Sequence, residues 1–115
     1  MSSWDDMVIN KWRELDLEEV VSIDWSDGCY QFDMTIAYRH RTTGKFFWAD
    51  DSGCSCPSPF EDYTSLDQFE SGTSWQLRNH LFDRYKDQID YFTGEPREDH
   101  VKGEYMSALE KLQRY

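Results

Sequence analysis

The three cysteines of this chain could bind a metal ion or take part in redox chemistry. Cys54 and Cys56 are separated by a single serine, and Cys29 lies well before them. Cysteine pairs in structural zinc sites are usually separated by about two to four residues, because a tighter chelate is strained. A disulfide between such close residues is strained as well. We therefore treat Cys29, Cys54 and Cys56 as a candidate ligand or metal loop, and we expect free thiols, no metal and no cofactor.

Acidic residues surround the cysteine pair and predict a binding site of another kind. Asp50, Asp51, Glu61 and Asp62 lie in a connection that contains two prolines and no basic residue. Long ordered connections in small domains are more often functional than simple spacers. The spacing of these acids does not match an EF-hand calcium loop. We therefore predict that Asp50, Asp51, Glu61, Asp62 and Tyr63 bind a partner with a basic surface.

The elements that must position this connection begin with a predicted β-hairpin. Apolar residues alternate on both sides of Asp27-Gly28, a dipeptide typical of a two-residue hairpin turn. Such a turn places Val21 opposite Met34 and directs the apolar side chains to one buried face. Asp33 and Thr35 fall on the opposite face, which we expect to be solvated.

A third strand follows a turn that ends at Gly44. If Gly44 adopts the left-handed conformation, Trp48 lies opposite Tyr38 and joins the buried face. Phe47 then points to the other face, which predicts that this face is partly covered too.

Helical patterns appear in the last third of the chain. Thr73 and Gln76 form a capping-box signature, and Ser65 with Gln68 predicts a single helical turn. The apolar stripe predicted for the first helix, which ends near Thr93-Gly94, consists of Trp75, Phe82, Tyr85, Ile89 and Phe92. The stripe predicted for a second helix after Pro96 consists of Val101, Tyr105, Leu109 and Leu112.

Together these patterns predict an α+β fold, a three-stranded antiparallel β-meander with one face covered by two C-terminal helices. A chain of 115 residues is long enough to bury one core, so we expect a single domain over 1–115. Its predicted parts are an N-terminal segment (1–17), the β-meander (18–50), an acidic Cys/Pro loop (51–72) and two helices (73–115).

The charge of the chain limits its partners. The 23 acidic residues outnumber the 12 basic ones, and 15 of the acids lie in residues 1–70, which hold only 5 of the bases. A field of this sign repels polyanions, so we expect no direct binding of nucleic acid or of an anionic membrane. The chain contains no long apolar run and no N-terminal signal pattern, which favours a soluble intracellular protein.

Two motifs are similar to sequences of a known group. They are the residues from Asp24 to Asp33 and, more distinctively, Ser-Gly-Cys-Ser-Cys-Pro-Ser-Pro-Phe-Glu-Asp-Tyr from Ser52 to Tyr63. Over roughly residues 18–70 the chain resembles a family of small uncharacterised proteins encoded by actinobacterial bacteriophages. The resemblance implies an accessory protein acting in the cytoplasm of the infected bacterial host. It implies no assigned activity.

The function that we expect is non-enzymatic binding of a host or phage protein. The protein would inhibit a host protein, in host takeover or anti-defence, and its carboxylates could replace nucleic-acid phosphates at a basic site. One alternative is a small-ligand or metal-binding protein that uses the Cys54/Cys56 loop. A second alternative is a small enzyme, although no known catalytic signature is present.

Overall fold

The structure is a computed structural model that describes residues 8–26, 31–54, 60 and 63–115, with the backbone alone for Asn10, Gln31 and Cys54. The elements in chain order are α1 (Val8–Lys11), β1 (Leu17–Asp24), β2 (Gln31–His40), β3 (Phe46–Cys54), a 3₁₀ turn (Leu66–Gln68), β4 (Glu70–Gly72), α2 (Ser74–Lys86) and α3 (Asp99–Leu112). None of the helices in these described ranges is both long and apolar enough to cross a bilayer.

The strands form an antiparallel meander in the order β1-β2-β3-β4. The α+β class is confirmed, but the described residues form a sheet of four strands and not three. β4 pairs with the beginning of β3, where Gly72 lies opposite Phe46 and Glu70 opposite Trp48. Three residues reading Glu-Ser-Gly show no alternation of apolar side chains, so the sequence pattern did not reveal this strand.

The pairing of β1 with β2 differs from the predicted register. Val21 lies opposite Ala37, and Met34 lies opposite Asp24, a slip of three residues from the predicted pairing. The predicted turn at Asp27-Gly28 lies outside the described residues. Because side chains alternate along a strand, an odd slip exchanges the two faces of β2. Thr35, which we expected to be solvated, is therefore fully buried.

A β-bulge at Val20 also changes which face the residues of β1 occupy. The register shifts between Glu19 and Val21, so Val20 is the extra residue. Before the bulge, Leu17 packs on the face of Tyr38, whereas Val21 packs on the opposite face. Simple alternation would have placed Leu17 and Val21 together.

The turn between β2 and β3 follows the prediction in part. Gly44 is left-handed with φ of 74°, as predicted, and its N–H donates to the carbonyl of His40 at 2.8 Å. Trp48 lies opposite Ala37 and not opposite Tyr38. Phe47 points to the other face and is half-buried there, so the prediction that this face is partly covered is confirmed.

The sheet consequently has a hydrophobic core on each side, where one was predicted. The helix-side core comprises Val20, Val21, Ile23, Trp25, Ala37, Phe46, Trp48, Leu77, Leu81, Val101, Tyr105, Ala108 and Leu112. The loop-side core comprises Val8, Leu17, Ile36, Tyr38, Ala49, Phe60 and Phe69. Residues from the N-terminal segment and from the connection after β3 therefore cover the face that the helices leave free.

The start of α2 is as predicted, but its buried face is not. Thr73 and Gln76 form the capping box, and the helix ends at Lys86, well before Thr93-Gly94. Its buried residues are Leu77 and Leu81. Of the predicted aromatic stripe, Tyr85 is partly buried against the helix-side core, whereas Trp75, Phe82 and Phe92 are exposed.

The prediction for α3 is confirmed. Val101, Tyr105 and Leu112 are buried and Leu109 is partly buried against the helix-side core. This helix packs mainly on β1 and also closes part of the free edge of that strand. The N–H of Asp24 donates to Oε2 of Glu104 at 3.2 Å, and Nε2 of His100 lies 2.8 Å from the carbonyl of Asp24.

Candidate functional site

The predicted acidic binding segment begins inside the sheet. Asp50 and Asp51 are residues of β3, and as neighbours in a strand they point to opposite faces. Tyr63 packs against Phe60 and Phe69, with ring centroids 5.5 and 5.2 Å apart. Glu61 and Asp62 lie outside the described residues, so their predicted role in partner binding stays a prediction.

Asp50 is the centre of a polar cluster between the sheet and α2. Its Oδ1 accepts a hydrogen bond from Oγ1 of the buried Thr35, which in turn accepts one from Nε1 of Trp25 at 2.8 Å. Its Oδ2 lies 2.6 Å from Nε2 of His80. Since an ionised carboxylate only accepts, this nitrogen of His80 donates the bond. The cluster therefore ties α2 to β2 and β3.

Arg84 extends the cluster by one turn of α2. It donates to Oδ1 of Asp33 at 2.5 Å, and its Nε lies 3.7 Å from Oδ1 of Asp50. Its guanidinium also lies 5.6 Å from the centroid of the Trp25 ring. Two acids on adjacent strands thus share one arginine, which fixes the position of α2 along the sheet.

The environment of Asp50 favours its ionised form. Burial alone would raise the pKa of this carboxyl group, but the hydrogen bonds from His80 and Thr35 and the charges of His80 and Arg84 outweigh burial. The pKa of Asp50 is therefore lower than its ordinary value. These contacts show a carboxylate that stabilises the fold and is only partly available to a partner.

Replacing Asp50 with asparagine is expected to lower the free energy of unfolding at pH 7 by about 2 kcal/mol, the usual range for hydrogen bonds to a charged group. Because the pKa of Asp50 is lower in the folded protein than in the unfolded chain, the carboxylate stabilises the fold fully above its ordinary pKa of about 4. This contribution is lost as the pH falls through the folded-state pKa. Urea titrations of both proteins from pH 7 to about pH 2.5 measure the difference.

The matched control is Asp83→Asn, which removes an exposed acid that pairs with Lys86 at 3.2 Å on the same helix. An exposed pair of this kind contributes at most about 0.5 kcal/mol. A difference between wild type and Asp50→Asn that stays constant down to the lowest pH would contradict the stabilising role of the ionised carboxylate.

Asp51 also forms hydrogen bonds within the fold. Its Oδ2 accepts from the N–H of Phe60 at 2.8 Å, and its Oδ1 accepts from the N–H of Ser52 at 3.0 Å. The hydroxyl of Tyr63 donates to the carbonyl of Asp50 at 3.3 Å. Asp51 and Tyr63 therefore fasten the connection after β3 to the edge of that strand, and this explains how Phe60 reaches the loop-side core.

The cysteines cannot be assembled into a site from the described residues. Cys54 ends β3, where its backbone lies opposite Gln31, and Cys29 and Cys56 lie outside the described part of the chain. Among the residues whose side chains are described, no group of three or more His, Cys, Asp or Glu is placed to hold a metal ion. The candidate ligand or metal loop therefore stays a prediction.

An open cleft adjoins the polar cluster at the end of β1. Its volume is about 570 Å³, and its lining includes Trp25, Asp33, Gln88, Arg97 and Glu98. Arg97 donates to the carbonyl of Asp87 at 3.0 Å, so part of its hydrogen-bonding capacity is already used. A cleft lined by acidic and basic side chains suits a small polar ligand, but its lining does not indicate which class of ligand would bind.

The outer side of α2 carries large aromatic side chains that the fold does not use. Trp75 is 68% exposed and Phe82 is 55% exposed, and with Arg78 they follow the spacing i, i+3, i+7. Residues with this spacing lie on one side of a helix. We refer to Trp75, Arg78 and Phe82 as the α2 aromatic face.

A second exposed aromatic pair lies in the turn after α2. Tyr91 and Phe92 are each 93% exposed, and their rings contact each other edge to face with centroids 5.6 Å apart. This turn is held by the N–H of Asp90, which donates to the carbonyl of Glu95 at 2.8 Å. The pair protrudes on a short turn, whereas the α2 aromatic face lies on a packed helix.

Sequence reasoning did not identify the positions that His80, Arg84 and Arg78 take in the structure. His80 and Arg84 are four residues apart, so both project from one side of α2, and this spacing could have suggested acidic partners on the sheet. The signal for Arg78 is its position between Trp75 and Phe82, two aromatic residues that the helical pattern predicts to be buried.

The fold and these surfaces define a small acidic α+β domain in which a meander is covered by helices on one face and, on the other, by residues that include Val8 and Phe60. The chain belongs to the DUF7574 family, described as a domain of unknown function, whose model matches residues 7–111. No curated protein and no solved structure gives a significant match. The family match confirms the coarser part of the resemblance, a family without an assigned function.

Proposed function

We propose that this protein acts by binding another protein, and that the α2 aromatic face is its binding surface. The observation that supports this most is the exposure of Trp75 and Phe82 on a helix whose opposite side is packed into the core. Burying large aromatic side chains is favourable, and Trp is enriched among the residues that dominate binding energy. A partner that covers both rings would use apolar surface that the fold itself leaves in water.

The rigidity of α2 supports the same proposal. Leu77 and Leu81 are fully buried, and the capping box of Thr73 with Gln76 fixes the first turn. On the sheet side, Asp50 binds the helix through His80. A surface that is ordered before binding loses less conformational entropy when a partner docks.

The distribution of charge distinguishes α2 from the rest of the chain. Residues 1–70 hold 15 acids and 5 bases, whereas α2 holds three bases and one acid. The α2 segment is therefore locally basic, in contrast to the acidic first part of the sequence. The acidic segment predicted from the sequence supports binding less well, because Asp50, Asp51 and Tyr63 are all bonded within the fold.

We further propose an origin and a role for the protein. The resemblance of residues 18–70 to proteins of actinobacterial phages supports a phage accessory protein that works in the cytoplasm of an infected bacterium. The high net negative charge supports a protein partner over a nucleic acid or a membrane. Within this proposal the protein inhibits a host protein and is not an enzyme.

Affinity purification of the tagged protein from cells of its source organism tests the proposal. We expect one protein to be recovered in stoichiometric amount, and Trp75→Ser combined with Phe82→Ser to weaken its binding at least 100-fold in a titration of the purified components. The melting temperature of this double variant should stay within about three degrees of wild type, because both side chains are exposed.

The matched control is Tyr91→Ser combined with Phe92→Ser, which removes two exposed aromatic rings from the neighbouring turn. It should leave binding within about threefold of wild type. Loss of binding in this control, with retention in the α2 variant, would move the interface to the turn. Recovery of no stoichiometric protein would contradict the protein-binding function.

A further inference from the structure

Arg78 is an unusual cation on the α2 aromatic face. The other two bases of α2 have acidic neighbours, since Arg84 binds Asp33 and Lys86 pairs with Asp83 at 3.2 Å. Arg78 has no hydrogen bond or ion pair to any residue that the structure describes. This is notable in a chain in which acids outnumber bases by 23 to 12.

The guanidinium of Arg78 is partly removed from water. The residue is half-buried, and its Nε is a buried nitrogen with no hydrogen-bond partner in the described part of the chain. The two terminal nitrogens of Arg78, unlike its Nε, are not buried without a hydrogen-bond partner. The Nε end of the side chain is therefore removed from water, while its two terminal nitrogens are open to an acceptor from outside.

The spacing of the face places this charge between the two rings. Arg78 follows Trp75 by three residues and precedes Phe82 by four, so the three side chains project from neighbouring turns. A partner that buries Trp75 and Phe82 must also remove water from Arg78. A buried charge without a counter-charge is strongly unfavourable, so a purely apolar partner is disfavoured at this face.

We propose that the α2 aromatic face binds a partner segment in which apolar side chains flank one carboxylate, and that Arg78 receives this carboxylate. The inference rests on the proposed function and adds the chemistry of the partner. An arginine can hold a carboxylate through two parallel hydrogen bonds, which fixes the orientation of the segment as well as its charge. The apolar side chains cover Trp75 and Phe82.

A singly charged carboxylate suits this face better than a phosphate. Sites for phosphorylated segments are built from clusters of arginine. On α2, Arg84 is engaged with acids of the sheet and Lys86 with Asp83, which leaves Arg78 as the cation of the face. The net charge of −11 also repels a doubly charged group more strongly than a singly charged one.

A displayed library of random 12-residue peptides provides a probe that does not require the natural partner. Selection is made on the full chain, with the Trp75→Ser and Phe82→Ser double variant as the counter-selection. We expect the recovered peptides to contain Asp or Glu within two positions of Trp, Phe or Leu. Against Arg78→Glu, the same selection should recover Lys or Arg in place of the acid.

The affinity of one recovered peptide separates the charge contact from the apolar contacts. We expect Arg78→Gln to weaken binding at least tenfold, and Lys86→Gln, which removes a cation that is already paired, to change it less than twofold. For the Arg78→Glu variant, changing the acidic residue of the peptide to lysine should raise the affinity at least tenfold. This reciprocal rescue would not occur if Arg78 had only a structural role.

The remaining outcomes separate this inference from the proposed function. Peptides that depend on Trp75 and Phe82 but show no enrichment of acids would overturn the role of Arg78 and leave protein binding standing. Recovery of no peptide that depends on these rings would overturn both. A dimer in sedimentation that is lost in Trp75→Ser would show that a second copy of the chain occupies the face, which would also overturn the inference.

Discussion

Replacing Trp25 with alanine is expected to lower the free energy of unfolding by about 3 to 5 kcal/mol, the range for loss of a large buried ring. Trp25 is 2% exposed in the helix-side core, and its Nε1 donates to Thr35 at 2.8 Å. The substitution leaves a cavity and also removes one of the hydrogen bonds that hold the Thr35–Asp50 contact in place. Urea-induced unfolding, followed by fluorescence of the remaining tryptophans, measures the change.

Trp75→Ala is the matched control, because it deletes the same side chain from a position that is 68% exposed. Its cost should be below about 0.5 kcal/mol, the usual limit for a surface substitution. Asp33→Ala, which the sequence pattern predicts to be nearly silent, should cost about 1 kcal/mol because Asp33 binds Arg84. Equal costs for Trp25→Ala and Trp75→Ala would contradict the burial of Trp25 in the helix-side core.

Replacing Phe60 with alanine is expected to cost about 3 to 4 kcal/mol, although the residue lies in a connection that sequence patterns present as a loop. Phe60 is 1% exposed, and its ring packs edge to face against Tyr63 in the loop-side core. Its backbone has a φ of 62°, a left-handed value that alanine also disfavours, so the substitution relieves no backbone strain. Thermal and urea unfolding of the variant measure the loss.

Phe92→Ala is the control for this second core, since it removes the same ring from a residue that is 93% exposed. It should change the free energy of unfolding by less than about 0.5 kcal/mol. If Phe60→Ala were as mild as Phe92→Ala, the connection after β3 would contribute little to stability, and the sheet would have one effective core.

Local patterns predicted the features of the fold that depend on a few adjacent residues. The capping boxes of Thr73 with Gln76 and of Ser65 with Gln68 are present, and Gly44 is left-handed as its turn requires. Each of these depends on side-chain to backbone contacts within one turn of the chain. The sequence contains all the information that such contacts need.

Long-range pairing was not predictable in the same way. The register of β1 against β2 was inferred from the Asp27-Gly28 turn, but the observed slip of three residues and the bulge at Val20 depend on which residues the helices bury. On α2, aromatic and aliphatic residues both follow a helical period, and the core selects Leu77 and Leu81 over the larger rings. A helical repeat of apolar residues identifies a helix, but it does not determine whether the aromatic or the aliphatic side of that helix faces the core.

The contacts of the candidate site were also not predictable from local patterns. Asp50 meets His80 over 30 residues of sequence, and Asp33 meets Arg84 over 51 residues, so no local pattern joins them. Asp50 was predicted as part of a partner-binding segment, and its observed contact with His80 depends on the placement of α2. Arg78 could be recognised only once its flanking rings were known to be exposed.

The contact between α3 and Asp24 has a consequence for how the protein behaves at high concentration. An open edge strand can act as a template on which the strands of other molecules add, which leads to aggregation. Here Glu104 and His100 occupy the N–H and the carbonyl of Asp24, and the bulge at Val20 interrupts the regular ladder further along β1. The end of β1 at Asp24 is thereby a poor template for intermolecular β-structure, and we expect loss of these two side chains to leave its N–H and carbonyl free to pair with another strand.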